Sequence, residues 1–236
     1  MKISVIVTCH KGTEPYFEEC LESIYAQVIQ PYEVIVVVDG FNKPMIYPNT
    51  TTIIREKNIG VAYSRDQGFK LSSGNYILFV DADDVLPENY LKEMLGAARW
   101  KNGDIIYPSC LLWSKWGKEA PKDNTFFDPP KEITLNILLE RNNILISSLM
   151  KREVYEKVGG FDPDLIMFED WYFFLRAFIL GFKFFPTYTF LKYRQRSLSR
   201  NRTFEGQNLR MTEKIRKMVF QEFPNLKKKY KKYNAT

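Results

Sequence analysis

Three carboxylates stand together in Phe79-Val80-Asp81-Ala82-Asp83-Asp84, directly after a run of apolar residues. Charges of one sign crowded at the end of a buried segment repel one another unless a cation or a hydrogen-bond donor compensates them. In an extended chain residues i and i+2 point the same way, so Asp81 and Asp83 are expected to share a hard ion such as magnesium or manganese. The competing expectation is that Asp83 or Asp84 caps a helix opening near Pro87. Two other polar residues also end hydrophobic runs: Thr8 after Ile3-Ser4-Val5-Ile6-Val7, and Asp39 after Val34-Ile35-Val36-Val37-Val38. Asp39 precedes Gly40, a pair that also suits a plain turn. Glu169-Asp170 stands where a helical pattern begins, a place that favours acidic side chains through the helix dipole alone. Arg65 falls inside a helical pattern and could be a solvated charge, and His10, the only histidine, reads as a loop residue. Cys9, Cys20 and Cys110 are odd in number and lack CxxC spacing, so they read as free thiols with no part in the chemistry.

The elements that must position these groups follow from periodicity. Residues 3–8 read as a strand, 15–27 as an amphipathic helix, 34–38 as a strand covered on both faces, 51–55 as a third strand, 61–71 as a helix and 76–80 as a fourth strand. A helix from about Pro87 and a strand at 105–107 come next. This alternation predicts an α/β fold, an open sheet whose ligands gather at the carboxyl ends of the strands. Thr8, Asp39 and Asp81 would then meet at one sheet edge. Residues 112–130, with Trp113, Trp116 and Pro129-Pro130, read as a long loop or irregular hairpin. Helix 131–140, strand 144–149, a Gly159-Gly160 turn and helix 169–180 complete the series. The aromatic stretch 171–190 is interrupted by Arg176, Gly181, Lys183 and Pro186, which fits a buried helix and strand rather than a membrane surface.

The chain has 236 residues and a formal charge of +6, but residues 213–236 hold eight Lys/Arg against two Glu and so carry that whole excess. A neutral remainder argues against a broad nucleic-acid footprint. Residues 203–236 read as a helix through Leu209, Ile215, Val219 and Phe220, followed by the cluster Lys227-Lys228-Lys229-Tyr230-Lys231-Lys232. Such a tail is either a solvated end or a contact with an anionic membrane. With no apolar run long enough to span a bilayer, the expectation is a cytoplasmic protein, peripheral to a membrane if the tail binds one.

Several motifs in order resemble the inverting glycosyltransferases of family 2, which have the GT-A fold. They are Ser4-Val5-Ile6-Val7-Thr8, then Cys20-Leu21-Glu22-Ser23-Ile24 with Gln27, then Asn58-Ile59-Gly60 through Arg65-Asp66-Gln67-Gly68 and Ser73-Gly74-Asn75-Tyr76. The aspartates 81 and 83 follow, and Gly159-Gly160-Phe161-Asp162 leads to Glu169-Asp170-Trp171. The resemblance implies a GT-A domain over residues 1–202, with its nucleotide-sugar half at about 1–108 and its acceptor half at about 109–202, and a helical extension over 203–236. It implies a metal-dependent transfer from a nucleoside diphosphate sugar, with a UDP-sugar as the expected donor, to a glycan or similar hydroxyl. Asp39 would accept a base N–H beside Thr8, Asp81 would meet ribose or metal, Asp83 would hold the metal, Arg65 would meet the nucleotide or diphosphate, and Asp170 would be the general base.

The chain departs from the family at Val38 and Asp66, where many members have aspartate and asparagine. Arg196, in Tyr193-Arg194-Gln195-Arg196, stands where a metal-binding histidine is often found. An arginine there, with Arg194, would pair with the diphosphate directly. The rival readings are an inactive binding protein of the same shape and a basic-tailed adaptor for membrane or nucleic acid. Retention of Asp39, Asp83 and Asp170 together argues against decay.

Overall fold

Val34 to Val38 are all buried, because their strand lies inside a sheet covered on both faces. The computed structural model describes residues 1–41, 49–113, 125–194 and 205–233. Its first half runs β1 (Ile3–His10), α1 (Glu14–Tyr25), β2 (Glu33–Asp39), β3 (Thr50–Arg55), α2 (Val61–Leu71), β4 (Tyr76–Asp81) and α3 (Tyr90–Lys101), the order that the periodicity predicts. β5 (Ile105–Trp113), β6 (Thr125–Phe127), α4 (Leu135–Glu140), β7 (Leu149–Lys151), α5 (Arg152–Val158), α6 (Glu169–Ile179) and β8 (Phe184–Arg194) follow.

These strands form one open mixed sheet in the order β3-β2-β1-β4-β7-β5-β6, with β8 paired to β5. β1 lies parallel between β2 and β4, with Thr8 opposite Asp81 and His10 opposite Asp39. The register therefore delivers three distant polar residues to one edge. Alternate residues face opposite layers: Val5, Val7, Val36 and Leu78 pack with α1 and α3, while Ile6, Ile35, Val37 and Phe79 pack with α5 and α6. Gly68 lets α2 lie against β1, since a Cβ there would overlap the Ile6 side chain.

Several elements differ from expectation. α3 opens at Tyr90 rather than Pro87, and neither Asp83 nor Asp84 caps it. Gln27 does this work from α1's end: its Oε1 accepts the Leu91 N–H at 2.9 Å and its Nε2 donates to the Pro87 carbonyl at 2.7 Å. The segment after β4 is a turn rather than an extension, closed by the Asp84 N–H on the Asp81 carbonyl at 3.0 Å. The helix expected at 131–140 begins only at Leu135, where the Thr134 hydroxyl accepts the Ile137 N–H. The strand expected at 144–149 instead lies at 149–151 as β7, because residues 144–148 form a loop from which Ile144 and Ile146 are buried.

The C-terminal region is fastened down. α7 (Glu205–Glu222) buries Ile215, Val219 and Phe220 in the same cluster as α6, and Arg216 donates to the Leu139 carbonyl at 2.8 Å. After α8 (Leu226–Lys229), Tyr233 is buried and its hydroxyl donates to Glu140 at 2.8 Å. The side chains of Lys227, Lys228, Lys229, Lys231 and Lys232 remain exposed around this anchor.

Candidate active site

The carboxyl ends of β1, β2 and β4 open into a cleft of about 1060 Å³. Thr8, Asp39, Arg65, Asp81, Asp83 and Asp170 all line it, so six residues singled out in the sequence converge on one cavity.

Asp39 does more than turn the chain. Its carboxylate accepts the Ile59 N–H at 3.2 Å and the Gly60 N–H at 3.1 Å, which fixes the entry to α2. Gly40 is needed beside it: φ is +91° there, and a Cβ would stand 2.7 Å from that of Asn58. Asp81 accepts a hydrogen bond from the Thr8 hydroxyl at 3.2 Å and one from Arg65 Nη2 at 2.9 Å, both on Oδ1. Arg65 is only 3% exposed, which rules out a solvated charge, and its Nη1 lies 2.6 Å from Glu169 Oε1.

Asp170 occupies the first turn of α6. Phe168, just before it, holds φ at +63°, a left-handed conformation that is costly for a bulky residue and is often found where a site demands a fixed orientation. Asp170 Oδ2 accepts the Asn142 amide at 2.9 Å, and Oδ1 accepts the Trp171 N–H at 2.7 Å.

Arg194 lies elsewhere. It is not among the cleft-lining residues but packs behind the Asp83–Asp84 turn, donating from Nε to the Asp83 carbonyl at 2.9 Å and from Nη2 to Glu19 at 2.6 Å. Its backbone N–H reaches Asp84 Oδ1 at 3.1 Å. Arg194 thus braces that turn against Glu19 of α1, while Leu191 and Tyr193 of β8 are the residues of this strand that line the cleft. Arg196 lies outside the described residues.

The sequence matches the family model "Glycosyl transferase family 2" over residues 4–170, which spans every acidic residue just placed. The chain belongs to glycosyl transferase family 2. Among its relatives are the uncharacterized glycosyltransferase YwdF of Bacillus subtilis (strain 168), 28% identical over 186 residues, which are 75% of this chain and 68% of YwdF. Glycosyltransferase GlyG of Streptococcus pneumoniae serotype 4 is 25% identical over 80% of this chain and 56% of its own length. The chain thus spans about half to two thirds of these relatives. Staphylococcus aureus TarS 1–349 in complex with UDP-GlcNAc superposes with a TM-score of 0.74 at 19% identity, covering 94% of this chain and 66% of that one. That likeness establishes the GT-A fold.

The electrostatics of this family 2 site separate its carboxylates. Burial would raise Asp81, but the Arg65 charge, its hydrogen bond and that of Thr8 outweigh burial and hold Asp81 below the usual carboxylate range. Asp84 is pushed well up by burial and then by the charges of Asp83 and Asp81. Asp170 is pushed up to about 7 by burial and the neighbouring Glu169, against the opposing pull of Arg65 and the Trp171 N–H. Burial raises the Cys9 and Cys110 thiols to about 12 and raises Cys20 as well, so all three stay protonated at neutral pH and are poor nucleophiles.

Glu169 and Asn142 were missed as site residues. Glu169 was legible only as a charge at a helix start, since its partner Arg65 is 104 residues away. Asn142 lies in Arg141-Asn142-Asn143, a polar loop without a signature. Among the described residues no three His, Cys, Asp or Glu side chains come together as a ready-made metal cluster.

Proposed function

We propose that the chain is an inverting glycosyltransferase that takes a sugar from a UDP-sugar and passes it to a hydroxyl of a glycan-like acceptor. The observation that carries this reading is the meeting of Asp39, Asp81, Asp83 and Asp170 in one cleft at the strand ends. The UDP and UDP-GlcNAc complexes of TarS support a uridine donor. Asp39, held rigidly through its own carboxylate, would accept the base N–H, and Thr8 would keep Asp81 oriented.

The donor set suits a divalent cation. Asp81 and Asp83 both line the cleft and offer hard oxygens, and Asp84 behind them is raised by burial and then by their charges. Magnesium commonly binds one or two carboxylates and completes its shell with substrate phosphates and water, which accords with the lack of a three-residue cluster. When bound, such an ion supplies positive charge where the leaving diphosphate gains negative charge. Asp170 Oδ2 and Oδ1, fixed by Asn142 and the Trp171 N–H, would take the acceptor's hydroxyl proton as that oxygen attacks the anomeric carbon from the face opposite the diphosphate. Configuration at that carbon inverts, and no covalent intermediate forms. Arg65 keeps a positive charge between the donor and acceptor sides.

In this reading residues 1–108 form roughly the donor half, 109–202 roughly the acceptor half, and 203–236 an extension. The exposed lysines held in place by Tyr233 support a peripheral contact with anionic membrane. UDP release from a panel of UDP-sugars tests the activity, and the anomeric proton coupling of the product tests inversion. A product that retains the donor's configuration would refute the direct displacement.

A further inference from the structure

The base is gripped by a residue of another element, and that grip is built rather than incidental. Asn142 follows α4, 28 residues before Asp170, and its Nδ2 lies 2.9 Å from Asp170 Oδ2. Its other amide atom, Oδ1, accepts the Ile144 N–H at 3.1 Å, which fixes the orientation of the amide and directs its donor at the carboxylate. The loop is knit on itself: Asn143 donates to the carbonyls of Ile137 at 3.3 Å and Arg141 at 3.0 Å, and Arg141 donates back to Asn143 at 3.1 Å. The neighbouring residue locks the two elements together, because the buried Trp171 indole donates to the Leu138 carbonyl at 2.6 Å. With α4 and α6 pinned beside them, Asn142 and Asp170 keep their separation.

We propose that Asn142 is a positioning residue for transfer, holding one oxygen of Asp170 so that the carboxylate presents a fixed face to the cleft and is favoured in its ionised form. The inference rests on the reading of Asp170 as the base. A donor aimed at a carboxylate stabilises the charged state, and here it opposes burial and the charge of Glu169. Among the described residues, the charges acting on Asp170 include Glu169 on α6, Arg65 on α2 and Asp81 at the end of β4, with Arg141 after α4 lining the same cleft, and all are kept when Asn142 alone is changed. The amide is therefore a separable contribution.

The test is a carbon-13 NMR titration of aspartate side-chain carboxyls in the intact protein, with the Asp170 signal assigned by its loss in Asp170→Asn. Asn142→Ala should raise the Asp170 midpoint by about one pH unit, the effect of one hydrogen bond to a charged group. Asn142→Asp, which keeps the shape and replaces a donor with a second carboxylate, should raise it further. Both variants should lower kcat at neutral pH and regain part of it at alkaline pH, with UDP affinity within about twofold of the parent. A midpoint that stays within about 0.3 unit in Asn142→Asp would overturn the proposal. Wild-type turnover by Asp170→Asn would instead reject the base itself, so the two failures are distinct.

Discussion

Arg65 joins two carboxylates from distant parts of the chain: Nη1 lies 2.6 Å from Glu169 and Nη2 lies 2.9 Å from Asp81. All three belong to the cleft, so the end of β4 and the start of α6 are tied by one buried cation. Removing one partner of a buried pair leaves the other charge uncompensated, at a cost of about 3 to 5 kcal/mol. Arg65→Ala should therefore lower unfolding stability by about that amount in urea titration, and a loss below about 1 kcal/mol would show that the bridge is not a structural tie.

Strands β1, β2 and β4 were legible in the sequence because they are largely apolar runs whose pattern needs no tertiary information. The runs ending at Thr8, Asp39 and Asp81 placed those three residues at one sheet edge for the same reason. What was not legible depends on long-range pairing. Arg65 read either as a solvated charge or as a nucleotide contact, and its ion pairs went unseen because neither Asp81 nor Glu169 is its helical neighbour; Arg194 read as a ligand contact because its partner Glu19 is 175 residues away. The Asp81–Asp84 segment looked extended because the hydrogen bond that turns it lies within the backbone.

Metal dependence is expected to reside in Asp83. Manganese should strengthen UDP binding to the parent protein, and Asp83→Ala should lose about tenfold or more of that enhancement by calorimetry. Equal manganese enhancement in the variant would remove Asp83 from the metal site.

The raised Asp170 sets a pH dependence. The base must be ionised to accept a proton, so kcat/KM should rise with pH and level off above about 7, the value to which burial and Glu169 push the carboxyl. Stability should move the other way. A carboxyl with a folded pKa above its unfolded one binds more protons in the folded state, so this group's contribution declines as pH rises from about 4 to about 7. Comparing urea unfolding of Asp170→Asn and the parent across that window isolates the contribution, and parallel curves would contradict it.

The lysine face needs a test that spares the fold. Deleting residues 225–236 would remove Tyr233, which is 6% exposed and bonded to Glu140, so neutralising substitutions are preferable. Changing Lys227, Lys228, Lys229, Lys231 and Lys232 to Gln should abolish sedimentation with anionic liposomes while leaving the melting temperature within about 2 °C. Undiminished sedimentation would rule out this face as the membrane contact.

Thermal unfolding with UDP, GDP, dTDP, CDP and ADP, each with and without manganese, bears most directly on the central claim that the cleft is a uridine-nucleotide donor site. A ligand at about 100 times its Kd adds roughly 2.7 kcal/mol, about 5 to 10 °C for a chain of this size. UDP should give a manganese-dependent rise of that order, and the other nucleotides smaller rises. No rise with UDP, whether or not manganese is present, would contradict it.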